Sequence, residues 1–216
     1  MAGAGFKTFV AGDVFTATDA NTYLMQQAVM VFTNEAARDA AITSPSEGMI
    51  AYLTAPTVPA ATGAITAVPT GVKTIYNGSV WVCVTEISAR SETNANTAST
   101  TFTSTLTGDS TALSVTLVTG TTAFVNLGFT GYTAGITMFM GVAVSGASTI
   151  AASNGKSVLK QDLSNAAANI SSHHAGFVFT GLTAGTNTFT AQYKAGAAVT
   201  TYYDTGGRNL TVRGIA

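Results

Sequence analysis

Glycine punctuation from residue 101 onward constrains this chain more than any other feature. Gly120, Gly131, Gly135, Gly146, Gly155, Gly181, Gly185, Gly196 and the pair Gly206-Gly207 separate short runs rich in Thr, Val, Phe and Ala. β-branched and aromatic residues suit a pleated, half-buried surface, while glycine supplies turns. The runs predict strands at 101–107, 112–118, 122–130, 135–145, 155–160, 175–182, 186–194, 198–203 and 208–214, with one irregular helical turn over Asp162 to Ile170. Strands recurring every 8–12 residues without helical patterns between them indicate a β-sandwich or jelly roll.

The first ninety residues read differently. Thr16-Ala-Thr-Asp19 has the form of a capping box, and Tyr23, Leu24, Gln27, Ala28 and Val31 follow at helical spacing. A second short helix is expected over Asn34–Ile42, capped by Thr33 or Asn34 and stopped by Ser44-Pro45. Gly48 to Thr54 reads as a strand and Ala55 to Gly71, with three of the four prolines, as a loop. Val72–Tyr76 and Ser79–Val84 flank Asn77-Gly78, the signal for a hairpin with a two-residue type I′ turn. Val80, Val82 and Val84 alternate with Trp81 and Cys83, so this small sheet has two apolar faces, and one must be covered by something else. Arg90 to Thr101 (RSETNANTASTT) lacks large apolar residues and reads as a linker. The expected domains are therefore residues 1–89, a linker at 90–100, and a sandwich over 101–216.

Charge and chemistry exclude much. Only 9% of residues are charged against about a quarter in ordinary chains, and the net charge is −1. No basic footprint for nucleic acid or anionic membrane exists. Apolar residues make up 46%, yet the richest run, Ile136 to Val144, is about half of the ~20 residues a spanning helix needs. MAGAGFKTFVAGD has neither the basic start nor the apolar stretch of a secretory signal. Cys83 is the single cysteine, expected to be a small buried apolar residue. Ser153-Asn-Gly-Lys-Ser157 resembles the tail of a phosphate loop, but Ile150 stands where glycine is required, which leaves an ordinary turn.

His173-His174 read as two loop histidines; on a strand they would point to opposite faces, and only a three-fold axis could gather copies of one of them around Zn or Ni. Asp109, Asp162 and Asp204, the carboxylates after residue 93, lie in different inferred turns, so no catalytic pair is expected. Tyr193, Tyr202, Tyr203 and Trp81 could stack on sugars, although such aromatics in β proteins usually serve the core. No enzyme, cofactor or metal is expected.

Residues 4–82 then become recognisable. AGFKTFVAGDVFTATDANTYLMQQAVMVF, NEAARDAAITSPSEGMIAYLT and IYNGSVWV stand in order and together resemble the start of virion appendage proteins of tailed phages that infect actinobacteria. GLTAGTNTFTAQYKAG and Gly207-Arg-Asn-Leu-Thr-Val-Arg213 are similar to the last strands of trimeric jelly-roll tips with a TNF/C1q-like fold. The resemblance implies a non-enzymatic structural protein on the virion surface, a homotrimer bound to the major capsid protein or another virion protein. Its attachment residues would be Phe6, Phe9, Val14, Tyr23, Leu24, Val31 and Phe32, and its outward sandwich would offer Tyr193, Tyr202 and Tyr203 to a ligand. Neither heptads nor Gly-X-Y shafts occur, which favours a capsid decoration or head fibre. The alternative is a minor tail or tail-fibre protein whose tip binds host cell-wall glycans.

Overall fold

Thr16 starts the first helix as its sequence predicts. In the computed structural model, which describes residues 7–25, 28–161 and 169–216, the Asp19 amide donates to Thr16 Oγ1 and the Thr16 amide to Asp19 Oδ2, both at 3.1 Å. That box caps α1 (Ala17–Asp19), and Ala20–Met25 continues as a π-helix. Val31 does not extend the helical stripe: it lies on strand β1 (Met30–Phe32). α2 (Glu35–Ala41) begins at Asn34, whose Oδ1 accepts from the Ala37 amide at 3.0 Å, and ends before Ser44-Pro45.

β2 (Ile50–Leu53) follows, and then the predicted loop turns out to hold two strands, β3 (Ala60–Thr62) and β4 (Ile65–Ala67). The expected hairpin forms from β5 (Val72–Tyr76) and β6 (Trp81–Cys83), but not through a type I′ turn. Gly78 alone adopts positive φ (+87°), and the Asn77 amide donates to the Val80 carbonyl at 3.2 Å. Asn77 Oδ1 accepts from the Ser79 and Val80 amides at 3.1 and 2.9 Å, so its side chain closes a longer loop.

The expected linker contains strands as well: the end of β7 (Ile87–Ser91) and all of β8 (Ala95–Thr97). Their buried positions are Ile87, Ala89 and Ser91, then Ala95 and Thr97. Alternation is present there, written in residues too small to register as apolar. Conversely, 101–107 forms only isolated bridges, among them Thr103 with Tyr193.

The remaining strands are β9 (Ser114–Thr119), β10 (Thr122–Thr133), β11 (Thr137–Gly146), β12 (Ser157–Gln161), β13 (Ser171–Thr180), β14 (Gly185–Ala195) and β15 (Thr201–Ile215). Residues 162–168, and with them most of the predicted helical turn, lie outside the described residues. Two sheets result, one in the order β13-β10-β15-β7-β4 with β8 also on β15, the other β12-β11-β14-β9-β3. This nested antiparallel order is that of a jelly roll. The fold is mainly β, with short amino-terminal helices. Leu117, Val125, Leu127, Phe129, Phe189 and Leu210, all buried, are among the residues that fill the space between the sheets.

Gly206-Gly207 does not end a strand. Phe129 pairs with Arg208 but Gly131 with Tyr203, so Asp204–Gly207 bulge opposite Thr130 within one long β15.

A third sheet, β1-β2-β5-β6, closes one end of the sandwich. Leu53, Val72 and Cys83 join the main core, while Met49, Ala51 and Trp81 form a second cluster under α2, with the Arg38 guanidinium 4.7 Å from the Trp81 ring centre. Val82, on the opposite face, sits where Gly214 and Gly120 leave room: a Cβ on Gly214 would lie 2.5 Å from Val82 Cγ1. The two apolar faces of the hairpin are thus both covered from within the chain. Among the described residues no helix is long and apolar enough to cross a membrane.

Candidate functional site

The segment 7–32 exposes apolar side chains that its own fold does not cover. Phe9, Val14, Leu24 and Val31, four of the residues named for attachment, are 41%, 78%, 57% and 65% exposed. Val10, Phe15, Met25 and Val29 join them; sequence reasoning missed these four because no periodicity marks them. Tyr23 is half-buried, and Phe32 is half-buried against both core clusters, so Phe32 serves the fold. Phe6 lies outside the described residues. The Phe9 and Phe15 rings meet at 5.5 Å, and Lys7 lies 4.8 Å from the Phe9 ring while paired with Asp19. That pairing and the Thr16 bonds bring the Asp19 carboxyl down to about 2. Beside this segment runs a groove of about 640 Å³ lined by residues including Met25, Val29, Val31, Phe32, Ile42 and Met49.

The three tip tyrosines separate, because neighbours on a strand face opposite ways. Tyr193 and Tyr203 are fully buried and cannot meet a ligand. Their rings pack edge to face at 4.9 Å, the Tyr203 hydroxyl donates to the Phe139 carbonyl at 2.7 Å, and burial pushes the Tyr193 hydroxyl up to about 12. Tyr202 faces out, 39% exposed, with its ring stacked on Tyr132 at 4.7 Å and 11°. The two line a pocket of about 320 Å³ with Asn94, Asn96, Thr107 and Asp204. Burial, then the neighbouring Tyr202 and Asp204, raises the Tyr132 hydroxyl above its ordinary value, so it stays protonated. Trp81 belongs to the second core cluster, not to a surface platform.

Of the three carboxylates after residue 93, two lie among the described residues. Asp109 is tied to the buried guanidinium of Arg208, accepts from Ser91 Oγ, and accepts from the Thr111 amide at 3.0 Å. Burial would raise its carboxyl, but these bonds outweigh it and hold the group below its ordinary value. Asp204 stands on the β15 bulge, and Asp162 lies outside the described residues.

The two histidines sit on β13, not on a loop. His173 is half-buried, stacked on Phe129 at 5.7 Å with Nε2 2.9 Å from Ser171 Oγ, and burial lowers its pKa; His174 faces solvent. Among the described residues no three His, Cys, Asp or Glu side chains converge. Cys83 is buried, its thiol pushed up to about 11 by desolvation. Asn154–Lys156 form a single 3₁₀ turn, the ordinary turn expected there.

No family model matches the chain, and no curated protein matches it. Among solved structures, one similar chain is the Eiger TNF of S. frugiperda, at TM-score 0.40 and 7% identity over 58% of this chain and 87% of that one. Another is the CBM22-1–GH10 portion of Clostridium thermocellum xylanase 10B, solved with xylohexaose, at TM-score 0.29 and 12% identity over 58% of this chain and 26% of that one.

Proposed function

We propose that this chain is a non-enzymatic structural protein of a phage virion surface, a homotrimeric capsid decoration or head fibre that docks through residues 7–32 and carries its jelly roll outward. The observation that carries this reading is the distribution of apolar surface. Eight of the fifteen exposed large apolar side chains among the described residues fall between Phe9 and Val31. Exposed apolar patches occur at protein–protein contacts, which supports the reading. The motifs over residues 4–82 supply the partner class, a capsid or other virion protein. Exposed Val178 and half-buried Phe124 on the outward side of β13 and β10 support packing between copies.

Mass spectrometry of purified virions tests the reading. Tens to hundreds of copies per particle are expected for a decoration; a few to about twenty would move the chain to the tail, and none would overturn the proposal. In particles carrying Leu24→Ser with Val31→Ser, the chain should be lost while the free protein keeps its thermal stability. Retention of the double variant would sink the docking role of this segment. Light scattering of the free protein should give three chain masses.

A further inference from the structure

Strand β1 has an open edge. It stands first in the four-stranded sheet β1-β2-β5-β6, and among the described residues β2 is the strand it pairs with. The Thr54 amide donates to the Phe32 carbonyl at 2.9 Å, so Phe32 turns its backbone groups toward β2. In a parallel ladder the residues on either side of a bonded one turn their N–H and C=O the other way. Val31 therefore directs both groups outward, away from β2. Exposed edges template pairing with another chain and are usually blunted by Lys, Pro or a bulge. Met30-Val31-Phe32 has neither Lys nor Pro, and its register with β2 is unbroken.

The side chains flanking that edge select what can lie along it. Met30 and Phe32 pack toward the Trp81 cluster under α2, where the groove of about 640 Å³ also takes in Met25, Val29, Ile42 and Met49. Val31 points to the opposite face beside its direct neighbour Tyr52, and both are exposed. A strand laid along β1 would alternate in the same way, one set of side chains entering the groove and the other meeting Val31 and Tyr52. Among the described residues no Asp, Glu, Lys or Arg lines the groove, so a charge carried into it would lose water without gaining a partner. An extended, uncharged, apolar segment answers both the side chains and the free backbone groups. Pairing of β1 with β1 of a second copy would need a two-fold axis, and a cyclic trimer has none.

We propose that β1 accepts an added strand from the protein on which this chain docks, an uncharged apolar segment that bonds the Val31 backbone and sends alternate side chains into the groove. This pairing presupposes the docking reading and names the backbone groups that carry it. Hydrogen exchange read by mass spectrometry, on purified virions and on the free protein, tests it. The Val31 amide should exchange at least tenfold more slowly in the particle. Val31→Pro removes that N–H, and proline is tolerated on an edge strand whose N–H faces out. Val31→Ala trims the same side chain but keeps the N–H. Particles should carry at least tenfold fewer copies of Val31→Pro than of Val31→Ala, with thermal unfolding of each free variant confirming the fold. Equal exchange at Val31 in particle and free protein, or equal occupancy by the two variants, would overturn strand addition and leave docking intact. Exchange at Val31 already slow in the free protein, and slower at higher concentration, would assign the edge to a second copy and overturn it as well. Wild-type chain missing from particles would sink both readings.

Discussion

Removing Asp109 should unfold this protein more readily than removing any single carboxylate of its surface. The carboxylate is the ionic partner of Arg208, which is 1% exposed, and it also accepts from Ser91 Oγ and the Thr111 amide. Asp109→Ala therefore leaves a guanidinium buried without its counter-charge. Arg208 keeps neutral contacts, among them Nη2 to Ser91 Oγ at 3.0 Å and to the Thr93 carbonyl at 3.3 Å, and the Tyr193 ring 5.4 Å from its guanidinium carbon. Breaking a buried pair from one side costs about 3–5 kcal/mol. At about 2–4 °C per kcal/mol for a chain of this size, the midpoint should fall by roughly 6–20 °C. Differential scanning calorimetry at neutral pH measures it. The mechanism also predicts a rescue: Asp109→Ala with Arg208→Met removes the orphaned charge and should recover most of the loss. A single-variant loss below about 1 kcal/mol, within the range of ordinary surface changes, would refute the argument. A double variant no more stable than Asp109→Ala would refute it equally.

Gly214→Ala should cost about 1–3 kcal/mol in chemical denaturation, because its Cβ would meet Val82 Cγ1 at 2.5 Å and the Cys83 carbonyl at 2.7 Å, forcing the third sheet off the sandwich. Gly155→Ala, with nothing within 4 Å, should stay near wild type in the same assay. Tyr203→Phe deletes the bond to the Phe139 carbonyl and should cost about 1 kcal/mol by thermal melting, with strand content unchanged by circular dichroism. Acid should loosen the 7–25 segment before the sandwich. The folded Asp19 carboxyl lies near 2, below its ordinary 3.8, so its support is full above 3.8 and lost as pH falls toward 2. Hydrogen exchange at Asp19 and Ala20 should rise in that window while β10 stays protected; a simultaneous rise would contradict the assignment.

The sandwich was legible from residue 101 onward because long runs such as Thr122–Thr133 carry alternation in large residues. Among the strands that escaped notice, Ala60–Thr62, Ile65–Ala67 and Ala95–Thr97 are three residues each and mostly Ala and Thr. What makes them strands is a partner edge far away in sequence: β3 lies on β9, β4 on β7 and β8 on β15. No local window contains that information. Asn-Gly marked the hairpin correctly, but the turn type depended on the Asn77 side chain bonding forward to two amides, which competes with positive φ at that residue. For the tyrosines, period two says that Tyr202 and Tyr203 face opposite ways. Which one faces the core depended on the bulge that resets β15 between Tyr203 and Arg208. Residues of the amino-terminal segment were named from a resemblance, and only the packing revealed Val10, Phe15, Met25 and Val29 as exposed beside them.

The pairing of β7 with β15 also sets an order in time. Ser91 and Arg208 face each other across the ladder although 117 residues separate them. At about 5–20 residues per second, roughly 6–23 s pass on the ribosome between the two. Throughout that interval β7, and β4 with it, has one edge unpaired, and the Arg208 clamp on Asp109 does not yet exist. A chain that stops short of Thr201 therefore carries the exposed apolar side chains of its amino-terminal segment without a finished sandwich behind them. Until β15 arrives, β10 and β7 have no strand between them, so the last strand in the sequence is the one that closes the sheet.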